Sequence, residues 1–188
     1  MLKKLKTGLI LLILISIACV KRPVSSEGNI YSVLFRFSAK VGEKSIHSLR
    51  IYINTDTSNK ISMSVLLPTN KLIANVFYDK KSLIIVDYNN RTVYIDNKKP
   101  FELKKVTGVD IPVNLFFDFF VNCYLKNNCT TGKKDGFRFI VNEKKEIVII
   151  GKQGNVLLKP LSGVVKGGVT KLTVKIPKGF KVIFNDNL

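Results

Sequence analysis

A strict alternation of apolar and polar side chains, which starts near residue 30, is the feature that most constrains the fold of this chain. Val33, Phe35 and Phe37 alternate with Arg36 and Ser38, and a period of two residues places such apolar side chains on one face of a β-strand. The period recurs between short turn signals at a spacing typical of an antiparallel meander. The predicted strands cover residues 33–41, 49–54, 61–67, 72–78, 82–88, 91–95, 136–141, 147–151 and 156–158, with a closing hairpin formed by 169–176 and 180–184.

The period changes to that of a helix at Pro112. Proline suits a helix start, and Leu115, Phe116, Phe119 and Phe120 recur at intervals of three and four residues. We therefore predict a helix over residues 112–124, preceded by a short helical turn at 101–106. Because this helix is apolar on more than one side, it is expected to lie over an apolar sheet face.

These patterns predict a mainly β fold. A sheet of about ten strands tends to curl, so we expect a long curled antiparallel sheet that forms an incomplete (half) β-barrel. Helices would cover its concave apolar face, and a cavity is expected between the two layers.

The amino terminus has the three parts of an export signal. Lys3, Lys4 and Lys6 precede a short apolar run, and small residues precede Cys19. The apolar stretch 7–20 is shorter than the roughly 20 residues that a membrane-spanning helix needs. The run Ile15-Ser16-Ile17-Ala18-Cys19 resembles a bacterial lipobox, in which the cysteine is lipidated and the chain is cut before it. A plain secreted protein with an incidental cysteine is the alternative.

The lipobox resemblance divides the chain into three parts: a signal peptide (1–18), a lipidated tether (19–29) and a single domain (30–188). No Asp follows Cys19. By resemblance to the enterobacterial sorting pattern, this indicates a lipid-anchored protein on the periplasmic face of the cell outer membrane.

Cys123 and Cys129 remain once Cys19 is assigned to the anchor. An exported protein reaches a compartment that permits disulfides, so we predict a disulfide between them, with two free thiols as the alternative. A metal site is disfavoured, because neither His nor further Cys lies nearby to complete four ligands.

The formal net charge of +18 suggests an acidic partner. Nucleic acid is disfavoured by the export signal and by the lack of a nucleic-acid motif. The sequence shows no pairing of carboxylates and no nucleophile with a base, and it has a single histidine, His47. We therefore predict a protein that is not an enzyme, has no cofactor or metal, and is a monomer.

Several runs, in order, resemble the LolB family of outer-membrane lipoprotein receptors and, more distantly, the periplasmic LolA carriers. Val65-Leu66-Leu67-Pro68 ends a strand at a proline turn, residues 83–94 form a hairpin, and Thr107-Gly108-Val109-Asp110-Ile111-Pro112 leads into a helix. The segment 171–184 is similar to the closing hairpin of the family, and residues 35–41 fit its first strand loosely.

The resemblance implies a function. The protein would bind the acyl chains of lipoproteins in a hydrophobic cavity, receive them from a periplasmic LolA-like carrier, and help insert them into the outer membrane. The alternative is an envelope lipoprotein of the same fold that binds lipid or a partner as a scaffold, without transfer activity.

Two sets of site residues follow from the resemblance and the alternation. The membrane-facing loop is assigned to Leu67, Pro68 and Leu72, although Thr69 and Asn70 stand where the family has an exposed leucine, and the family's tryptophans are absent here. The predicted cavity-lining residues are Phe35, Phe37, Leu49, Ile51, Met63, Val65, Phe77, Ile85, Leu115, Phe116, Phe119, Phe120 and Phe139. The alternative is that these side chains form an ordinary packed core.

Overall fold

The computed structural model describes residues 29–56, 60–96, 111–167 and 172–184, apart from the side chains of residues 46 and 47. The predicted signal peptide, nearly all of the predicted tether, the predicted helical turn at 101–106 and residues 107–110 of the run that leads into the helix lie outside these ranges. The described residues form twelve β-strands: β1 Ile30–Val41, β2 Lys44–Thr55, β3 Ile61–Leu66, β4 Leu72–Tyr78, β5 Leu83–Asp87, β6 Thr92–Asp96, β7 Thr131–Lys134, β8 Phe137–Val141, β9 Ile147–Ile150, β10 Gly154–Pro160, β11 Val165–Gly167 and β12 Lys181–Phe184.

All of these strands belong to one sheet with the order β12-β6-β5-β4-β3-β2-β1-β10-β9-β8-β7, and β11 adds to β1 beside β10. Every pairing is antiparallel except that of β12 with β6, which is parallel. Among the described strands, no ladder joins β7 to β12, so the sheet is not closed into a barrel.

Irregularities in the ladders show how the sheet bends. The register of β1 against β2 shifts between Phe37 and Ala39, and Ser48, on the facing strand, adopts a left-handed backbone with φ of 66°. A second shift occurs between Val65 and Leu66 of β3. Bulges of this kind bend a strand and increase its twist, so they favour a curled sheet.

The helix predicted at Pro112 is present. Helix α1 (Val113–Phe119) starts directly after Pro112 and continues as a π-helical turn over Phe120–Leu125. We call this continuous segment the plug helix.

Aromatic pairs fix the plug helix against strands that are far apart in the sheet. Phe120 contacts Phe35 of β1 with ring centroids 6.2 Å apart, Phe117 contacts Tyr78 of β4 at 6.0 Å, and Phe119 stacks on Phe139 of β8 at 4.9 Å. Six strand steps of about 4.8 Å separate β4 from β8 in a flat sheet. A helix is only about 10–12 Å wide, so the sheet must wrap around it. The predicted fold class, a curled antiparallel sheet with a helix on its concave apolar face, is confirmed.

The predicted closing hairpin is wrong. Residues 172–177 form no strand, and β12 joins the far edge of the sheet, where the Lys181 N–H donates to Arg91 O at 2.9 Å. The turn at Lys178 and Gly179, with Gly179 at φ of 78°, redirects the chain. The alternation of Leu172, Val174 and Ile176 therefore does not mark a paired strand.

Two strands were missed by the sequence analysis. In β7 and β11 nearly every side chain is exposed. A strand without a buried face carries no apolar alternation, so period-two patterns could not reveal these two.

Candidate functional site

The concave face of the sheet and the plug helix enclose one apolar interior. Nearly all the predicted cavity residues lie there: Phe35, Phe37, Ile51, Met63, Val65, Ile85, Leu115, Phe116, Phe119, Phe120 and Phe139 are buried in one cluster, and Leu49 packs against it. These side chains come from β1, β2, β3, β5, β8 and the plug helix.

Phe77 is the exception and lies on the opposite face of the sheet. Its neighbours Val76 and Tyr78 belong to the interior cluster, whereas Phe77 does not. Successive residues of a strand point to opposite faces, and Phe77 pairs with Ser62 and Ile84. The prediction that Phe77 lines the interior is wrong, because it assigned the side chains of β4 to the wrong faces of the sheet.

A small cavity remains at the centre of the interior, with a volume of about 20 Å³. All of its lining residues are apolar: Phe37, Ile51, Ile53, Met63, Ile111, Phe116, Ile149, Val156 and Leu158. Five of these, Ile53, Ile111, Ile149, Val156 and Leu158, were not among the predicted residues. Ile53 could have been predicted, because it lies on the same strand face as Ile51. Val156 and Leu158 could also have been predicted, because they occupy alternate positions of β10.

The size of this cavity decides whether it can hold a ligand. One water-sized sphere occupies roughly 10–15 Å³, whereas ligand pockets measure about 300–1,000 Å³. As far as the described residues show, this apolar cavity is too small for a ligand, so binding there would require the plug helix to move relative to the sheet.

A file of three stacked aromatic rings runs along the plug helix. Phe116 stacks on Phe120 with ring centroids 5.8 Å apart, and Phe120 stacks on Tyr124 at 5.2 Å. Positions four residues apart lie on one helix face. Phe116 lines the central cavity, and Tyr124 lines a surface groove, so the file connects the interior to the surface.

The groove at the Tyr124 end has a volume of about 640 Å³ and contains the apolar residues Leu125, Leu161 and Val164. A second depression, of about 930 Å³, adjoins it and shares Asn127, Lys144 and Lys145. Both are more than large enough for one acyl chain segment, but they are open to solvent rather than enclosed.

The predicted disulfide is present and closes this end of the plug helix. Cys123 and Cys129 are bonded, with their Cα atoms 4.5 Å apart. Cys123 is buried, and both residues line the second depression. The bond ties the last turn of the helix to the segment that leads into β7.

The pKa values of two tyrosines beside the plug helix are raised. Burial, with the nearby charges of Asp118 and Asp79, raises the pKa of Tyr78, and burial raises the pKa of Tyr124. Both phenols therefore stay neutral at physiological pH. Within the described ranges, no group of three or more His, Cys, Asp or Glu residues is arranged to hold a metal ion.

The proline turn that was assigned to the membrane is a closed turn. Asn70 adopts φ of 66°, its N–H donates to Leu67 O at 2.9 Å, and Arg50 Nη1 donates to Asn70 Oδ1 at 2.6 Å. Pro68 is exposed, but Leu67 and Leu72 are half-buried. Its membrane role stays a prediction.

No helix within the described residues combines the length and apolar character needed to cross a membrane.

Comparison with known proteins gives little. No protein-family model matches the sequence, and no curated protein matches it. Among solved structures, the chain is similar to an uncharacterized conserved protein from Thermus thermophilus, with a TM-score of 0.43 and 10% identity over 84% of this chain and 91% of that chain. A similarity of this size carries no argument about function.

Proposed function

We propose that this protein is a lipid-anchored envelope protein of the LolB type, which binds an acyl chain of another lipoprotein between its curled sheet and its plug helix and passes that chain to the outer membrane. The observation that carries the proposal is the composition of the interior. Its central cavity is lined by apolar side chains alone, and aromatic rings make the contacts between the plug helix and β1, β4 and β8.

Apolar contacts of this kind can be exchanged for contacts with an acyl chain. Burying a chain of about sixteen methylenes is worth on the order of 13 kcal/mol gross. Separating the plug helix from the sheet exposes apolar side chains, which costs free energy of the same kind. This cost offsets the gain from burying the acyl chain. Binding would then be reversible, which a transfer protein requires.

The disulfide favours a hinge at one end of the plug helix. Cys123 is bonded to Cys129, so the carboxyl end of the helix stays attached while the end near Val113 can move. This motion would widen the central cavity beside Phe116 first. No covalent step is needed for binding or release.

An uptake experiment tests this function. The purified lipoprotein is mixed with a fluorescent fatty acid, and its emission is followed with and without an unlabelled lipoprotein as competitor. We expect saturable uptake that the competitor reverses. Absence of uptake at all concentrations of the probe would refute the function.

Phe120→Ala sharpens the test, because it removes a ring from the centre of the plug helix. An enlarged apolar cavity stays dry and takes up apolar ligands, so we expect faster and greater uptake. Phe180→Ala is the matched control, since Phe180 packs against Tyr88 with centroids 5.7 Å apart and lies outside the interior cluster. Equal uptake by both variants would argue against the interior as the binding site.

The filled interior also favours the second candidate, a scaffold lipoprotein of the same fold without transfer activity. Such a protein needs no more space than the cavity of about 20 Å³ provides. It would bind anionic lipid or a partner in a salt-sensitive manner and take up no fatty acid, even as Phe120→Ala.

A further inference from the structure

The strand registers give the sheet two distinct ends. We call the end at which β1 starts the tether end; it carries Ile30, Thr55 and Ile61, and Gly167 of β11 pairs there with Ile30. The other, the turn end, carries the proline turn between β3 and β4. Because β1 begins at Ile30, the chain segment 19–29 reaches the domain at the tether end.

An exposed apolar patch lies at the tether end, in the connection from β10 to β11. Leu161 is 42% exposed and Val164 45%, and both line the groove at the Tyr124 end. We call these two residues the patch. Val165 is 60% exposed but pairs with Ser32, which lies on the opposite sheet face from Tyr31 of the groove.

Hydrogen bonds hold the patch in place. The Leu161 N–H donates to Leu34 O at 2.8 Å, the Leu34 N–H donates to Ser162 Oγ at 3.1 Å, and Val165 pairs with Ser32. The connection is thus fixed to β1 at both of its ends, and the apolar side chains are held at the surface.

Lysines lie beside the patch. Lys144 and Lys145 line the same groove as Leu161 and Val164, and Lys166 pairs with Tyr31, another residue of that groove. Acids in the β8–β9 turn compensate part of this charge, since Glu146 is paired with Lys159 at 3.2 Å and also attracts Lys144. Apolar side chains beside clustered lysines are the features that place a protein on an anionic lipid surface.

We propose that Leu161 and Val164, flanked by Lys144, Lys145 and Lys166, form a docking surface for an anionic lipid bilayer. The inference rests on the proposed function only for the location of the protein beside a membrane. An anchored tether of about ten residues spans at most roughly 35 Å, which permits many orientations of the domain. The patch selects the one in which the tether end faces the lipid.

This orientation has a consequence for transfer. The groove that contains Tyr124 also contains Leu161 and Val164, so it would open directly onto the bilayer surface. The proline turn, which follows the other end of β3, would then face the periplasm, in place of the membrane role that the sequence predicts for it.

The lack of tryptophan in this chain makes a direct test possible. Val164→Trp introduces a single tryptophan in the patch, and Thr69→Trp, in the proline turn, is the matched control. Each full lipoprotein is reconstituted into vesicles of phosphatidylcholine and phosphatidylglycerol that contain brominated acyl chains, which quench tryptophan on contact. We expect a shift to shorter wavelength and several-fold stronger quenching for Val164→Trp.

Further variants distinguish quenching caused by docking of the patch from quenching caused by the tether alone. Lys81→Trp reports on another exposed position at the tether end and should be quenched less than Val164→Trp. Leu161→Asp in the Val164→Trp chain should remove most of the quenching, and replacement of phosphatidylglycerol by phosphatidylcholine should reduce it. Quenching at Thr69→Trp equal to or greater than that at Val164→Trp overturns the proposal, as does no quenching at Val164→Trp, which would assign the patch to a protein partner.

Fatty-acid uptake is measured on the same preparations to keep the two proposals apart. Quenching of Val164→Trp without uptake would refute the transfer function and support the docking surface. Uptake with no difference in quenching between Val164→Trp and Thr69→Trp would refute the docking surface alone.

Discussion

Phe120 and Tyr124 stack with ring centroids 5.2 Å apart and ring planes inclined by 11°. The first ring is fully buried against Phe35 of β1, and the second lines the groove at the surface. This pair is therefore the point at which the packed interior meets solvent-accessible space.

Phe120→Ala is expected to reduce the free energy of unfolding by about 3–5 kcal/mol, the usual cost of deleting a buried phenylalanine ring. Urea denaturation followed by far-UV circular dichroism measures the change. Phe180→Ala, which removes a half-buried ring, should cost clearly less. Similar losses for the two variants would mean that Phe120 is not part of the packed interior.

Val156→Ile should stabilise the fold, because the added methyl group enters the central cavity beside Phe37. A buried methylene contributes about 0.8 kcal/mol, which sets the upper limit of the gain. The control is Val148→Ile, on the half-buried opposite face of the neighbouring strand β9, where little change is expected. A loss of stability for Val156→Ile alone would show that the cavity cannot accept the group.

Removal of the disulfide, by Cys123→Ser with Cys129→Ser, should lower the free energy of unfolding by about 2 kcal/mol in the chain-entropy account of small loops. Thermal unfolding with and without reductant gives the same comparison for the unmodified chain. An unfolding midpoint that does not respond to reductant would indicate free thiols.

Stability should fall in acid partly because of Glu146. A hydrogen bond from the Asn142 side chain, with a contribution from Lys159, lowers the pKa of Glu146 below its ordinary value of 4.5. A carboxyl whose pKa is lowered by folding stabilises the protein above its unfolded-state pKa, and this stabilisation is lost as the pH falls through the lower folded value. The relevant window therefore lies below about pH 4.5.

Glu146→Gln tests this assignment. The variant should lose stability at neutral pH but show a shallower decline below pH 4.5, measured as the urea midpoint against pH. Glu143→Gln, an exposed carboxylate in the same turn, is the control. An unchanged acid slope in Glu146→Gln would mean that other carboxyls dominate.

The sequence predicted the sheet well where one face is buried. In β1, Val33, Phe35 and Phe37 are almost fully buried, and this burial produces the alternation from which the strand was identified. The same reasoning identified the helix after Pro112, since proline fixes a start and the aromatic spacing fixes the period.

The failures have definite physical causes. In β4 the last residues Val76, Phe77 and Tyr78 are all buried, so apolar character alone could not assign a face. Leu172, Val174 and Ile176 have the strand pattern but no paired partner, because pairing depends on which edge is available in three dimensions. The small size of the apolar cavity could not be predicted from the sequence either, since it depends on how side chains from distant strands pack together.

The strand order has a consequence for how the domain is made. β1 pairs with β10, so Phe35 lies opposite Pro160, whereas β1–β6 and β7–β10 are each linked by short local hairpins. Contacts between residues distant in sequence form slowly, because a long loop must be closed first. We therefore expect two hairpin arrays to form early and to dock along the β1–β10 seam in the slow step, with the plug helix, which lies between them in sequence, trapped as the seam closes.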